Sequence, residues 1–341
     1  MHHDLPSLSR RCWLAHAGAA ALAPAFVRHA RAADVPRFAL GVASGQPRER
    51  SIVLWTRLTG NDLPARATVR WTLARDERFA DIAARGSEDT GADDAHSVHA
   101  EVTGLEPGRH YWYRFEALGQ RSATGRTRTA PAPDAAAGLR FALASCQRFD
   151  HGHYAAWRHV AASELDLVVF VGDYIYEYPS PPVAVRYHEG PLVRTLEQYR
   201  ARYAQYKSDP SLQAAHAAMP WLLVWDDHEV DNDYADDHSE DPAVTPESFL
   251  ARRAAAYQAW WEHMPVRLPP PDGTKDYVTY RQLSIGGLAE MTLIDTRQYR
   301  SDQTCGDVSL SLDPACPETF DDSRTMLGAT QEQWVAKALG S

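Results

Sequence analysis

The pattern of apolar residues changes at a Pro/Ala-rich stretch over residues 131–138, and this change constrains the fold more than any other feature of the chain. Before it, short segments such as 68–73 and 97–102 alternate polar and apolar residues, with turn residues between them. After it, residues 165–171 form a near-continuous apolar run. Alternation is typical of strands with one buried face, whereas a continuous run is typical of a buried parallel strand. We therefore predict two domains joined by a linker over 131–138.

The first region, residues 34–130, has the pattern of an all-β sandwich. Strands are predicted over 38–42, 51–56, 68–73 and 97–102, at roughly ten-residue spacing. A turn over 103–109 leads into an aromatic strand, and its Gly-Leu-x-Pro…Tyr-x-Tyr-Arg-Phe pattern resembles a fibronectin type III domain. No group of catalytic residue types stands out here, so we interpret this region as a scaffold.

The second region, residues 139–341, has the pattern of an α/β fold. A strand over 139–145, a helix over 153–163 and the apolar run 165–171 form a β-α-β unit. Further helices are predicted from Thr195, where Gln198 completes a capping box, from Pro210 after Asp209, and from Pro246. Strands are predicted over 221–225 and 289–294.

Residues 1–33 are predicted to be an export signal. Arg10-Arg11 precedes a weakly hydrophobic, Ala-rich run, and this order resembles a twin-arginine signal; the alternative is an ordinary amphipathic helix. Export would make the protein periplasmic or secreted, with the twin-arginine translocase as a partner. No segment reaches the ~20 apolar residues that span a bilayer. The net charge of −10 argues against a nucleic-acid binder.

Four cysteines fit an exported protein. Cys12 lies in the signal, and Cys305 and Cys316 flank a Gly/Ser/Asp/Pro-rich loop, where we predict a local disulfide; two free thiols are the alternative. Cys146 remains unpaired at the end of a predicted strand. It has three interpretations: a buried structural cysteine, a metal thiolate, or a nucleophile with His151 or His153 as its base.

Ligands of α/β sheets gather beyond the carboxyl ends of the strands, and three predicted strand ends carry strong donors. Gly172-Asp173-x-x-Tyr176 offers a carboxylate that can bridge cations and a phenolate suited to ferric iron, although a surface turn would also fit. Asp227 and His228 directly follow the strand over 221–225, whereas the acidic residues from Asp233 onward are interpreted as a solvated loop. A His-Glu-x-x-His zinc helix is excluded because Asn232 stands at the position of its second histidine.

The motifs together resemble one family. Their order is Ser-Cys-Gln at 145–147, Gly-Asp-x-x-Tyr at 172–176, Trp-Asp-Asp-His-Glu-Val at 225–230 and Asp-Thr-Arg-Gln-Tyr-Arg at 295–300. This order is similar to that of PhoD-like alkaline phosphatase D proteins, within the calcineurin-like metallophosphatases. The resemblance implies an αββα sheet sandwich in the second region and the family's N-terminal domain in the first.

The resemblance also implies roles for individual residues. Asp173 would bridge two metals, Cys146 and Tyr176 would bind ferric iron, and Asp227 would bind the second metal, calcium. His228 would face the phosphate and protonate the leaving alkoxide. Arg297 and Asn232 are candidate phosphate contacts, and a salt bridge is an equal alternative for Arg297.

The implied function is hydrolysis of phosphate esters by metal-activated water, without a covalent phospho-enzyme. Phospholipids and cell-wall phosphodiesters are candidate substrates. Two alternatives stay open: a non-catalytic module that binds structural calcium, and a hydrolase that uses Cys146. The last histidine is His263, whereas the family carries later His and Asp ligands, so we expect a C-terminally truncated chain with an incomplete sheet sandwich and impaired activity.

Overall fold

The computed structural model describes residues 35–135, 138–273, 276–305 and 315–340. The predicted export signal over 1–33 lies outside these residues, as do positions 136 and 137 of the predicted linker.

The first region folds into eight strands that form two layers. The strands are β1 (Val42–Arg48), β2 (Ser51–Arg57), β3 (Arg66–Ala74), β4 (Ile82–Gly91), β5 (Ser97–Thr103), β6 (His110–Ala117), β7 (Gln120–Arg121) and β8 (Gly125–Arg128). Strands β5, β2 and β1 pair in one antiparallel layer, and β4, β3, β6 and β7 form the other, with β8 beside β6. Alternate side chains of both layers, including Leu54, Val69 and Phe115, pack into one core. The alternation of polar and apolar residues along the sequence therefore corresponds to strands that bury one face, as predicted.

Four strands of this region differ from the sequence-based expectation: β1 begins later than predicted, and β4, β7 and β8 were not predicted. The strand predicted over 38–42 is a turn instead, closed by a hydrogen bond from Gly41 N to Phe38 O (3.0 Å), and β1 begins only at Val42. Gly41 has a φ of +76°, which ends the turn in a left-handed conformation that glycine adopts without strain. Strand β4 was not predicted, because its sequence is mostly polar; it pairs along its length with β3 only.

The second region alternates strands and helices. Its elements are β9 (Phe141–Ala144), α1 (Ala155–Ala162), β10 (Leu167–Val171), α2 (Leu196–Lys207), α3 (Pro210–Ala218), β11 (Trp221–Val224), α4 (Pro246–His263), β12 (Arg281–Ile285), β13 (Ala289–Leu293) and α5 (Ala329–Leu339). The predicted β-α-β unit is confirmed, since β9 and β10 pair in parallel.

The predicted helix starts are also confirmed. The Thr195 side chain accepts from Gln198 N, and the Gln198 side chain accepts from Thr195 N, which completes the capping box. Asp209 caps α3 ahead of its first-turn proline, and Thr245 caps α4 in the same way. Each cap supplies acceptors for N–H groups that the first turn of a helix leaves unpaired.

One sheet runs through both regions. Its six strands are ordered β5-β2-β1-β11-β10-β9, and β1 joins β11 in parallel at Gly45 and Trp221. A Cβ at Gly45 would lie 2.1 Å from the Pro265 carbonyl oxygen, so glycine is required at this junction. The linker therefore separates two sequence patterns without separating two sheets, and the described residues from 36 onward form one compact unit.

The two faces of β10 and β11 carry different layers. Val168, Phe170 and Trp221 pack with the helices in the largest core of the molecule. Leu167 and Leu222 point to the other face, where they pack against β12 and β13, a two-stranded antiparallel sheet. The described residues thus stack helices, sheet and a second, small sheet in that order, and the carboxyl ends of β9, β10 and β11 meet at one edge.

Candidate metal centre

Gly172 brings the loops after β10 and β11 together. Its φ is +100°, and a Cβ at this position would lie 2.4 Å from Asp226 Cβ and 2.5 Å from Asp226 N. Any other residue would push the two loops apart. The glycine of the Gly-Asp-x-x-Tyr motif is therefore explained by backbone approach at the end of the strand.

Two candidate ligands sit in strained backbone conformations. Cys146 has a φ of +57° and Asp173 a φ of +60°, a region that non-glycine residues rarely occupy. The loops that carry them are joined by hydrogen bonds from Cys146 N to Gly172 O (3.2 Å) and from Gln147 N to Asp173 O (3.1 Å). Strained residues held by surrounding hydrogen bonds concentrate at functional sites.

Three predicted site residues converge at this edge. One ligand atom each from Asp173, Asp227 and His228 lies within 4.8 Å of the others. Asp173 and Asp227 are buried, and His228 is half-buried. The residues come from the ends of two neighbouring parallel strands, β10 and β11.

The pKa values of Asp173 and Asp227 are shifted in opposite directions. Burial raises the pKa of Asp173, and the negative charge of Asp227 adds to this rise despite the opposing effect of His228. Burial also acts to raise the pKa of Asp227, but the charges of Arg297 and His228 outweigh it and leave that pKa below its ordinary value. Burial is the largest cause of the raised pKa of Asp173, and the charge of Arg297 is the largest cause that lowers the pKa of Asp227.

The Asp173 carboxylate is only partly satisfied. Its Oδ2 accepts from Tyr176 Oη at 2.9 Å, whereas Oδ1 is buried and has no hydrogen-bond partner among the described residues. A buried, unpartnered carboxylate oxygen beside a second carboxylate is costly in the protein alone. Hard divalent and trivalent cations prefer such oxygen ligands, so this donor set fits a metal ion.

Cys146 and Tyr176 lie next to Asp173. The Cys146 side chain reaches solvent, which contradicts the interpretation as a buried structural cysteine. Partial desolvation nevertheless raises the pKa of its thiol, and the charge of Asp173 acts in the same direction. A raised pKa disfavours the nucleophilic thiolate of the cysteine-hydrolase alternative. Burial and Asp173 likewise raise the pKa of Tyr176, so without a cation its phenol stays protonated.

His228 is held by a residue that the sequence analysis missed. Glu177, fully buried, bonds His228 Nδ1 through Oε2 (2.8 Å) and accepts Asn232 N at Oε1 (2.8 Å). Burial lowers the pKa of His228, but the hydrogen bond and charge of Glu177, with Asp227 and Asp173, outweigh it and raise the pKa to about 9. The imidazole is therefore protonated at neutral pH and oriented by its Nδ1. The sequence does contain one signal for Glu177: it lies in the run Tyr174–Tyr178, directly after a buried strand.

Arg297 and Asn232 are engaged by acidic neighbours. Arg297 pairs with three carboxylates, through Nε to Asp226 Oδ1 (2.5 Å), Nη2 to Asp227 Oδ1 (3.4 Å) and Nη1 to Asp233 Oδ1 (3.6 Å). The Asn232 side chain donates to Glu240 Oε2 at 2.5 Å. Both residues border the site, and their role as phosphate contacts stays a prediction.

Asp295 of the Asp-Thr-Arg-Gln-Tyr-Arg segment has a structural role. Its Oδ1 accepts the backbone N–H groups of Arg297 and Gln298, and its Oδ2 accepts from Trp225 Nε1 at 3.0 Å. These bonds place Arg297 against the loop after β11.

An open cavity of about 490 Å³ borders the site on the side of β9. Its wall includes Cys146, Arg148 and two exposed histidines at 151 and 153, with Trp157 of α1 on its apolar side. It offers space for an organic group next to the candidate metal ligands.

Cys305 and Cys316 form a disulfide, with an S–S distance of 2.05 Å and a Cα–Cα distance of 5.6 Å. These values are normal for a disulfide.

Comparison with known proteins identifies the family. The family model described as PhoD-like phosphatase matches residues 141–341, and that of the PhoD-like phosphatase N-terminal domain matches residues 21–131. The chain belongs to the PhoD-like phosphatase family. It is 47% identical over 316 residues to alkaline phosphatase D of Bacillus subtilis (strain 168), covering 89% of this chain and 54% of that protein.

A solved structure of PhoD has the same fold as this PhoD-like chain. The TM-score is 0.85 at 46% identity, over 89% of this chain and 60% of that one. The chain therefore spans about half the length of the curated relative that it matches. Within the described residues, no helix is long and apolar enough to cross a membrane.

Proposed function

We propose that this PhoD-like protein is a metal-dependent phosphoesterase that hydrolyses phosphate esters with metal-activated water. The observation that carries this proposal is the pair of buried carboxylates Asp173 and Asp227 beside His228, in which one buried oxygen of Asp173 has no hydrogen-bond partner among the described residues. The name of the Bacillus subtilis relative, alkaline phosphatase D, supports the same reaction class.

We assign Fe³⁺ and Ca²⁺ as the metals. Cys146, Tyr176 and Asp173 would hold the iron, since thiolate and phenolate suit it, and Asp173 with Asp227 would hold calcium, which prefers carboxylates. Bound metals lower the pKa of water, orient the phosphate and stabilise charge on the attacking and leaving oxygens.

The chain's own residues supply the proton and the orientation. His228 donates a proton to the leaving alkoxide oxygen, and Glu177 holds the imidazole in place through Nδ1. The Arg297 and Asn232 side chains now pair with carboxylates. When a phosphate binds, they would release those carboxylates and bind the phosphate instead. No covalent phospho-enzyme forms.

The two ends of β10 provide a matched test of activity. Asp173 follows the strand, and Asp166 precedes it, paired with Arg128. Chromogenic phosphate mono- and diesters are the substrates. Asp173→Asn should lower the rate at least about 100-fold, because even residues that only support metal ligands cost 10–100-fold. Asp166→Asn should stay near wild type. Equal rates in both variants would refute the proposal.

Metal analysis separates the remaining alternatives. We expect iron and calcium in the purified protein, and a visible tyrosinate-to-iron band that Tyr176→Phe abolishes. Iron with this band would exclude a nucleophilic role of Cys146. Calcium without iron and without hydrolysis would instead support the non-catalytic calcium-binding module.

We further propose that the protein is exported through the twin-arginine translocase and acts in the periplasm or outside the cell, on phospholipids or cell-wall phosphodiesters. The Arg10-Arg11 pair and the Cys305–Cys316 disulfide support this location. Replacing both arginines by lysine should retain the protein in the cytoplasm in a fractionation experiment. Unchanged export would contradict the assigned route.

A further inference from the structure

One buried glutamate joins the two loops that carry the candidate ligands. Glu229 is 1% exposed and follows His228 in the loop after β11. Its Oε1 accepts Tyr174 N at 2.6 Å. Its Oε2 accepts both Asp173 N, at 3.1 Å, and Asp226 N, at 2.9 Å. One carboxylate thus receives three backbone donors, two from the loop after β10 and one from its own loop.

These hydrogen bonds lie where the backbone is strained and where the ladder between β10 and β11 has ended. Asp173 has a positive φ, and the glycine before it is pressed against Asp226. No β-ladder pairs β10 with β11 beyond Val171 and Val224. The Glu229 carboxylate continues the connection between the strands where the ladder stops.

We propose that Glu229 is a positioning residue that fixes Asp173 and Asp227 at the separation a shared cation requires. Glu229 would not itself touch the metal, since it lies outside the group of candidate ligands and backbone donors use three of the about four acceptor sites of its carboxylate. This inference rests on the proposed function, because it assumes that the two aspartates bind one cation.

The chain offers a control of the same residue type and burial. Glu262 in α4 is 0% exposed and pairs with Arg200 through two hydrogen bonds of 2.7 and 2.5 Å. Its partners are side chains of α2 and α4, including Gln258, so it supports packing between helices. Glu262→Gln tests for general effects of neutralising a buried carboxylate.

The first measurement is the affinity of the purified protein for Mn²⁺ alone. Glu229→Ala should weaken binding 10–100-fold, the range observed for residues that orient metal ligands. Glu229→Gln should fall between wild type and Glu229→Ala, because its amide NH₂ must face at least one backbone donor. Glu262→Gln should bind within twofold of wild type. Wild-type affinity in Glu229→Ala, or an equal loss in Glu262→Gln, would overturn the inference.

The second measurement needs no metal. Amide hydrogen exchange at Asp173, Tyr174 and Asp226 should accelerate at least tenfold in Glu229→Gln and stay unchanged in Glu262→Gln. If the three amides keep wild-type protection, Glu229 does not position the loops. If wild type binds no Mn²⁺ but exchange accelerates as expected, the positioning of the loops stands while the metal function fails. The two failures are therefore distinguishable.

Discussion

Charged side chains of the sandwich and of the strand ends follow opposite rules. In the sandwich, the acids that form ion pairs with arginines are at least partly exposed to solvent. Asp62, 64% exposed, pairs with Arg37 at 2.6 Å, and Glu106 pairs with Arg109 at 2.5 Å. At the strand ends, Asp226 and Asp227 instead share Arg297 with a third aspartate, and Asp173 keeps a buried oxygen without a partner among the described residues.

Exposed ion pairs in the sandwich have little effect on the free energy of folding, whereas the buried carboxylates at the strand ends destabilise the fold. An exposed pair is neither strongly stabilising nor difficult to solvate. Buried like charges without full compensation destabilise the folded state. A bound cation would offset this cost at the strand ends, and nothing comparable is needed in the sandwich. Substitutions in each region test this difference between exposed and buried charges.

The largest effect is expected at His228. His228→Asn should lower kcat for an ester with a poor leaving group about 10²–10⁴-fold, since it removes the proton donor. His159→Asn, at an exposed position in α1, serves as control and should retain wild-type kcat. Steady-state kinetics of both variants check this. An undiminished kcat in His228→Asn would show that the proton comes from another group.

A core substitution in the sandwich should change stability without changing metal binding. Phe115→Ala removes a fully buried ring from the sandwich core and should lower the free energy of unfolding by about 3–5 kcal/mol. Phe320→Ala, at a 74% exposed ring, should change it by less than about 0.5 kcal/mol. Denaturant unfolding measures both. A loss of Mn²⁺ affinity in folded Phe115→Ala would show that the sandwich also shapes the metal centre.

Lys207 lies between the two regions and should make stability depend on pH. Its Nζ lies 4.3 Å from the ring centre of Trp55 in β2 and 5.4 Å from that of Tyr174 beside the site. Burial lowers the pKa of Lys207 to about 7, against about 10.4 in an unfolded chain.

The sign of the pH effect follows from that difference. Below about pH 7 the folded protein carries the full cost of a buried ammonium, and the cost disappears as pH rises towards about 10.4. Wild type should therefore gain stability relative to Lys207→Met between pH 7 and 9.5, as measured by denaturant unfolding. Lys337→Met, at an exposed position in α5, should follow wild type. Parallel curves for wild type and Lys207→Met would contradict the lowered pKa.

The smallest effect is expected at the surface pair of the sandwich. Asp62→Asn breaks the ion pair with Arg37 and should lower the Tm only slightly, with less effect at high salt. Thermal unfolding at two salt concentrations measures it. A larger, salt-independent loss would show that exposed and buried charges do not differ as we describe.

Local patterns in the sequence predicted most of the strands and helices but not how the sheet continues. The caps at Thr195, Asp209 and Thr245 depend on neighbouring residues, so their signals are complete in the sequence. The pairing of Gly45 with Trp221 joins residues far apart in the chain, and the apolar patterns on both sides are equally compatible with two separate sheets.

The site shows the same division. Asp173, Asp227 and His228 were predictable because parallel strands end at one edge, which brings their following residues together. Glu177 and Glu229 were not assigned roles, because their partners are backbone groups or side chains of other loops. Only the three-dimensional arrangement separates these two buried glutamates from the exposed acids nearby.

Thermal unfolding of Asp173→Asn and Asp166→Asn, with chelator and then with added Ca²⁺, shows whether Asp173 holds a cation at the strand ends. If Asp173 is retained for a cation, its replacement should leave the metal-free protein at least as stable as wild type, because a buried like charge is removed. Asp166→Asn should be less stable, because it loses its ion pair with Arg128. Added Ca²⁺ should raise the Tm of wild type and Asp166→Asn but not of Asp173→Asn. An equal rise in Tm for Asp173→Asn would show that the strand ends do not hold the cation.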